Sequence, residues 1–308
     1  MSDVVLLFSG QGAQKVGMGK DFLEASATAR ALFERADEVL GFPLSTTMFD
    51  GPEEELTRTS RCQPALYLHG LVALALLKER VGGLNPVAAA GLSLGEFTAH
   101  AAAGTFSIED GLKLVARRGL FMEEACQATR GAMAALIGGE EEAVKALAAE
   151  CAVDVANFNA PGQIVLSGTV EGIDAAVEKA RDHGIRRAIK LNVAGAYHSR
   201  LMQQAQDQLA AELAGVAMQP PGIPVVCNFG ASVVSEPAEI RAMLEQQVTG
   251  SVRWTESIRL LCDRGHRTFI ELGPGKVLAG LVVKIEKDAT VHSVEDLASL
   301  EAVTELLD

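Results

Sequence analysis

Clustered basic residues are missing from this chain. Its 308 residues carry 27 Lys and Arg against 40 Asp and Glu, a formal net charge of −13. That balance excludes a nucleic-acid or anionic-membrane surface, which needs grouped Lys and Arg. It is compatible with a soluble enzyme, because a local basic pocket can sit in an acidic protein. Cysteine is sparse: Cys62, Cys126, Cys151, Cys227 and Cys262 lie far apart, with no CxxC pair and an odd count. Such usage reads as reduced, buried thiols in a cytosolic protein. Aromatic residues make up only 5%. The N-terminal MSDVVLLFSG has no basic leader, and its apolar run is too short for a signal segment. No run approaches the length of a membrane span, and there is no internal repeat or low-complexity tract. The expectation is a cytoplasmic protein, 48% apolar, long enough to bury a substantial core.

What is present alternates. Val4–Phe8 is a short apolar run of the kind that forms a buried parallel strand, and a helix is expected over Phe22–Leu40. A nearly all-apolar helix over Pro64–Glu79, a strand over Pro86–Ala90 and a helix from Glu96 follow. Strand, loop and helix in this order predict an α/β fold with a parallel sheet. After Gln127 the order changes to strand Ala132–Ile137, helix Glu140–Glu150, strands Val153–Phe158 and Gln163–Ser167, helix Glu171–His183 and strand Arg187–Leu191. That β-α-β-β-α-β order is the split βαβ of ferredoxin-like domains. The α/β pattern resumes with a helix over Arg200–Leu213, and Thr268–Leu272 reads as a further strand. The domain expectation is therefore 1–127 with 199–308 as the larger unit and 128–198 as an insertion.

Two glycine-rich turns carry the candidate chemistry. Ser9-Gly10-Gln11-Gly12-Ala13-Gln14 follows a strand and precedes a helix, yet lacks the third glycine of a dinucleotide loop and the Gly-Lys-Ser/Thr of a P-loop. It is either a tight turn without chemistry or a source of backbone N–H groups near developing negative charge. Gly91-Leu92-Ser93-Leu94-Gly95 matches G-x-S-x-G between a strand and a helix. Ser93 is then a nucleophile on a strained turn, or a small residue where helix and strand pack closely. A serine nucleophile needs a base. Of six histidines, His69 and His100 lie within apolar helical patterns, His183 reads as a helix cap, and His266 sits in a turn. His198 lies in a small-residue loop where the insertion rejoins the larger unit, a preferred position for a cleft. No acidic residue is evidently placed to complete a triad. On the helix containing Arg117-Arg118, one arginine can reach solvent while the other is committed inward, where a substrate carboxylate or an internal salt bridge must meet it.

Seven segments occur in order: FSGQGAQKVGMG, GLSLGEFTAHAAAG, RRGLFMEEA, NFNAPGQIVLSG, NVAGAYHSRLM, QQVTGSVRWTESI and ELGPGKVLAGL. Together they resemble the malonyl-CoA:acyl carrier protein transacylases, to which the acyltransferase domains of polyketide and fatty acid synthases are related. The resemblance runs from Val4 to about Lys287. It implies an α/β-hydrolase-like large domain with a ferredoxin-like insertion, and transfer of malonyl from malonyl-CoA to a carrier-protein thiol. By position, Ser93 resembles the acyl-accepting nucleophile, His198 its base, and Arg118 the arginine that holds the malonyl carboxylate. Gln11 and Leu94 correspond to the oxyanion N–H donors, and Gln247 to a backbone carbonyl that orients the histidine, so its side chain is expected to matter little. Gln63 and Asn159 resemble polar substrate-pocket residues. Ala196-Tyr197-His198 resembles the form associated with malonyl rather than methylmalonyl units. The resemblance implies no metal, no cofactor of the chain's own, acyl carrier protein as partner, and a monomer. Leu92 departs from the family, which usually has His before the nucleophile. The alternatives are a stand-alone acyltransferase serving a polyketide synthase, a serine thioesterase, and a non-catalytic carrier-binding subunit.

Overall fold

The structure, a computed structural model, describes residues 3–307. Strand β1 (Asp3–Phe8) is buried from Val4 onward, and its side chains divide with a period of two. Val4, Leu6 and Phe8 enter one apolar core, while Val5 and Leu7 enter another that includes Trp254, Ile258 and Leu278. A strand that is apolar on both faces requires cover on both, and helices supply it. Among the described residues the ten strands are β1, β2 (Asn85–Gly91), β3 (Gly131–Ile137), β4 (Asp154–Ala160), β5 (Gln163–Thr169), β6 (Arg187–Lys190), β7 (Val225–Cys227), β8 (Ser232–Val233), β9 (Thr268–Leu272) and β10 (Thr290–Val294). The large sheet runs β10-β9-β1-β2-β7-β8, parallel except for the β7–β8 pair.

The second sheet runs β4-β5-β3-β6 and is antiparallel throughout. Helices Glu141–Glu150 and Val170–Lys179 cover one face, packing Val144, Leu147 and Ile173 against Ala134, Leu136 and Leu166. The other face turns Met133 and Val165 toward the large sheet's core. Backbone bonds from Val252 N–H to Ala156 O (2.8 Å) and from Phe158 N–H to Val252 O (2.9 Å) join β4 to the larger part. This is the α/β arrangement with a βαββαβ unit that the sequence predicts.

Three boundaries differ most from the sequence reading. The helix expected over Phe22–Leu40 is two, Lys20–Ala25 and Ala27–Leu40, because extended Ser26 caps the second by accepting from Ala29 N–H. The buried helix starts at Thr59 rather than Pro64 and runs to Arg80; proline near a helix start removes few hydrogen bonds. That extension puts Gln63 on the helix. The helix expected to reach His183 stops at Lys179, so His183 caps nothing and instead meets Glu150 at 2.9 Å on the surface.

Candidate active site

At the end of β2 the chain reverses through Ser93, with φ 55° and ψ −104°, into the helix Leu94–Ala102. A non-glycine residue there stores roughly 1–3 kcal/mol of backbone strain. The flanking glycines are required sterically. A Cβ on Gly91 would fall 2.0 Å from the Gly95 carbonyl carbon, and one on Gly95 would fall 2.1 Å from the Phe8 carbonyl oxygen. The tight turn lifts the Ser93 side chain into a cavity of about 530 Å³ between the two sheets. Gln11, Leu94, Arg118, Asn159 and His198 line the same cavity, so the chain brings together six residues singled out from its sequence.

Ser93 Oγ lies 2.7 Å from His198 Nε2, and His198 Nδ1 lies 2.8 Å from the Gln247 carbonyl oxygen. A carbonyl only accepts, so Nδ1 carries the proton and Nε2 is left to accept from the serine hydroxyl. Burial, reinforced by the charge of Arg118, brings the imidazole down to about 4 against the opposing pull of the backbone bond at Gln247. The ring is therefore neutral and basic in form at ordinary pH. His198 also has a left-handed backbone, φ 55°. The Ser199 hydroxyl braces that turn, donating to Ala196 O at 2.7 Å and accepting from Leu201 N–H at 3.2 Å.

The two arginines separate cleanly. Arg117 faces solvent beside Glu212, whereas Arg118 is 1% exposed. No carboxylate pairs directly with Arg118 among the described residues. Its Nη1 donates to Gln63 Oε1 at 2.7 Å, and its Nη2 donates to Gln247 Oε1 at 2.8 Å and to Ser93 Oγ at 3.0 Å. Its Nε has no partner, and the Phe97 ring lies 5.3 Å from Cζ. Burial lowers the guanidinium to about 10, with Glu96 opposing, so it stays charged at neutral pH. A buried cation held only by neutral oxygens favours an incoming anion.

Gln63 stands behind the guanidinium rather than on the cavity wall. Asn159 does line the cavity, and its buried Oδ1 has no partner. Leu94 opens a helix, where a first-turn N–H has no helical acceptor, and Gln11 sits in the facing turn. The Gln11 side chain donates to Thr59 Oγ1 at 3.2 Å, and that hydroxyl is 2.6 Å from the Tyr197 hydroxyl. Leu92 also borders the cavity; its Cδ2 would be 3.0 Å from a Cβ at Gly10.

Sequence reasoning missed two residues and undervalued a third. Asn228 Oδ1 accepts from the Ser93 N–H at 2.6 Å while its Nδ2 donates to Gly91 O at 2.8 Å, clamping both sides of the turn. Glu96 is fully buried and accepts from the Asn228 N–H and from Gln247 Nε2. The Gln247 side chain, expected to be dispensable, bonds Arg118, Glu96 and the Ser93 carbonyl. An acid directly after the G-x-S-x-G turn was the available signal for Glu96; for Asn228 no pattern marks it. Among the described residues, Glu96, His100 and Cys227 bring one ligand atom each within 4.8 Å of one another. Glu96 Oε2 already has two N–H donors, and these side chains belong to the buried packing behind the serine.

Residues 5–306 match the family model described as acyl transferase domain. The malonyl CoA-acyl carrier protein transacylase of Bacillus subtilis (strain 168) is 42% identical over 312 residues, spanning 100% of this chain and 98% of the relative. An acyl carrier protein S-malonyltransferase from Vibrio cholerae is 38% identical with a TM-score of 0.94, over 98% of this chain and 100% of that one. A type II PKS acyl-carrier protein has been solved in complex with its malonyl-transacylase, to which this chain is 36% identical. That match has a TM-score of 0.95 over 99% of this chain and 100% of the other.

Proposed function

The chain belongs to the acyl transferase domain family, and from that premise we propose that it moves malonyl from malonyl-CoA to the phosphopantetheine thiol of acyl carrier protein. The observation that carries the reading is Arg118: a buried cation without a carboxylate partner, donating to the oxygen that would carry the acyl group. A carboxylate-bearing acyl chain fits it; a simple ester or thioester does not use it.

The reaction runs in two halves. Ser93 gives its proton to His198 Nε2 as Oγ attacks the malonyl thioester carbonyl. The N–H groups of Gln11 and Leu94 take the oxyanion, and collapse breaks the C–S bond. The coenzyme A sulfur leaves with the proton from His198, and malonyl remains as an ester on Ser93. The carrier thiol then gives its proton to His198 and attacks that ester; collapse restores the Ser93 hydroxyl. Arg118 holds the malonyl carboxylate throughout, and the Gln247 carbonyl keeps the imidazole in one tautomer.

The phosphopantetheine arm comes with the carrier, so this scheme calls for no cofactor of the chain's own. The segment 128–198 acts as an inserted domain forming one wall, and because one chain supplies every group, a monomer suffices. Five free cysteines support a reducing, cytoplasmic setting. No helix among the described residues is long and apolar enough to cross a membrane. Fatty acid synthesis is the setting we assign; faster transfer to a polyketide carrier than to a fatty acid carrier would reverse it. Mass spectrometry after mixing with malonyl-CoA should find one malonyl group on Ser93, and none in Ser93→Ala. Steady hydrolysis of malonyl-CoA without a thiol acceptor would instead make the protein a thioesterase.

A further inference from the structure

The wall behind Ser93 holds a buried carboxylate that the scheme above leaves unused. Glu96 lies in the first turn of the helix Leu94–Ala102 and exposes no surface. Its Oε2 accepts from the Asn228 N–H at 2.9 Å and from Gln247 Nε2 at 2.6 Å. At the other end of the same amide, Gln247 Oε1 accepts from Arg118 Nη2 at 2.8 Å. The Gln247 backbone carbonyl accepts from His198 Nδ1 at 2.8 Å. One residue thus touches the base, the guanidinium and the carboxylate.

An amide is a donor at one end and an acceptor at the other, and a flip exchanges them. With the carboxylate taking Nε2, the oxygen faces Arg118. Flipped, the amide would set its NH2 against a guanidinium and its oxygen against a carboxylate, losing two charge-assisted bonds. We propose that Glu96 is a positioning residue whose negative charge sets the sense of the Gln247 amide and so holds Arg118 ready for the acyl carboxylate. The inference rests on the malonyl-transfer reading. Glu96 and Arg118 lie at opposite ends of the Gln247 amide, without direct contact. Direct contact would occupy the guanidinium with a protein carboxylate; the interposed amide balances charge and leaves the N–H groups free to exchange partners.

The titratable groups that face Glu96 are His100 on its own helix, Cys227 at the end of β7, Arg118 on the helix Ile108–Ala128, and His198 through Gln247. Burial raises Glu96 to about 7, opposed by the bonds from Asn228 and Gln247. Burial brings His100 down to about 3 and pushes Cys227 up, so neither titrates between the Glu96 and His198 values. The expected malonyl kcat/KM profile therefore has an acid limb near 7 from Glu96 above one near 4 from His198.

The test measures acylation of Ser93 by malonyl-CoA and by acetyl-CoA from acidic to neutral pH, in wild type, Glu96→Gln and Glu96→Asp. Glu96→Gln should lower malonyl kcat/KM about 10- to 100-fold, the range for a lost charge-assisted hydrogen bond, and should abolish the upper limb. Acetyl, which has no carboxylate to anchor, should change by less than about threefold on the same reasoning. Glu96→Asp keeps the charge and should keep the upper limb. Equal losses for the two acyl donors in Glu96→Gln would overturn the proposal, because they mark a general structural role. Where Glu96→Gln does not fold, Glu96→Asp decides: a loss of the same size for malonyl and for acetyl in that variant overturns the proposal. A wild-type protein that forms no malonyl-Ser93 ester would overturn the transfer reading itself, and this inference with it.

Discussion

The two sheets border one cavity with opposite chemistry. The large parallel sheet and its helices bring Ser93 and Arg118 to it, with Glu96 and Gln247 fully buried behind them. The small antiparallel sheet brings Met133, Val165, Asn157, Asn159 and Gln163, and no ionisable side chain. The difference follows from how each sheet is covered. Helices on both faces of a parallel sheet exclude water and hold a strained turn in place, so charge there is strong and fixed. An antiparallel sheet with helices on one face leaves the other as a wall, which shapes space without charge. In the proposed reaction, reactivity belongs to the first region and fit to the second, with His198 standing at the crossing between them.

The largest expected effect tests that division at the crossing. His198→Ala should lower malonyl transfer roughly 10²–10⁴-fold, as loss of a general base does. Met133→Ala on the small sheet should alter preference among acyl groups and leave the pH limbs where they are. Loss of a limb in Met133→Ala, seen in steady-state profiles, would place chemistry in the wall assigned to fit.

Next in size is the guanidinium. Arg118→Ala should cost malonyl transfer about 2–5 kcal/mol, as truncation of a buried hydrogen-bonded charge partner does. Acetyl transfer should suffer far less. Equal losses, measured as kcat/KM for the two donors, would make Arg118 a structural residue of the large region.

A third test reads the same contrast through stability. Burial holds His69 at about 4, His100 at about 3 and His198 at about 4, against an ordinary value of 6.5. The unfolded chain therefore binds protons that the native one refuses, and stability falls as pH drops from about 6.5 toward 4. Glu96, raised from 4.5 to about 7, acts oppositely: its contribution is present at low pH and lost as pH rises through that interval. Three groups outweigh one, so urea midpoints should fall on acidification. All four stand outside the small sheet, whose neighbour His183 is on the surface. His100→Asn should reduce the acid sensitivity; an unchanged pH dependence of the urea midpoint in that variant would remove burial of His100 as its cause.

Much of the fold and the turn around Ser93 was legible in the sequence because each piece is local. Periodicity in Val4–Phe8 and the βαββαβ order are read within a few tens of residues, and so is the G-x-S-x-G turn around Ser93. The opening choice for Ser93, nucleophile or close packing, dissolves in three dimensions: the glycines permit close packing, and that packing exposes the hydroxyl. The inward arginine could not be told from its neighbour by pattern alone; the helix resolves it, with Arg118 buried and Arg117 at the surface. What stayed hidden is assembled across long separations. Asn228 meets Ser93 across 135 positions and Gln247 meets Glu96 across 151, so neither contact leaves a local trace.

The smallest expected effect falls on Leu92, beside Ser93 and on the cavity wall. Its side chain packs toward Gly10 and the second core, and makes no contact with the dyad through a polar group. An imidazole there can keep its carbon edge against Gly10 and turn a nitrogen toward the cavity. Leu92→His should therefore change malonyl kcat/KM by less than about tenfold, or 1.4 kcal/mol, with only a modest shift between malonyl and methylmalonyl. Such a ring titrates near neutral pH, but it donates nothing to Ser93, His198 or the oxyanion N–H groups, so the limbs of the profile should stay in place. Fully folded Leu92→His protein that no longer forms the Ser93 ester would show that the turn depends on an apolar side chain at this position. The boundary between the charged region and the region of fit would then run through the turn itself, one residue before Ser93.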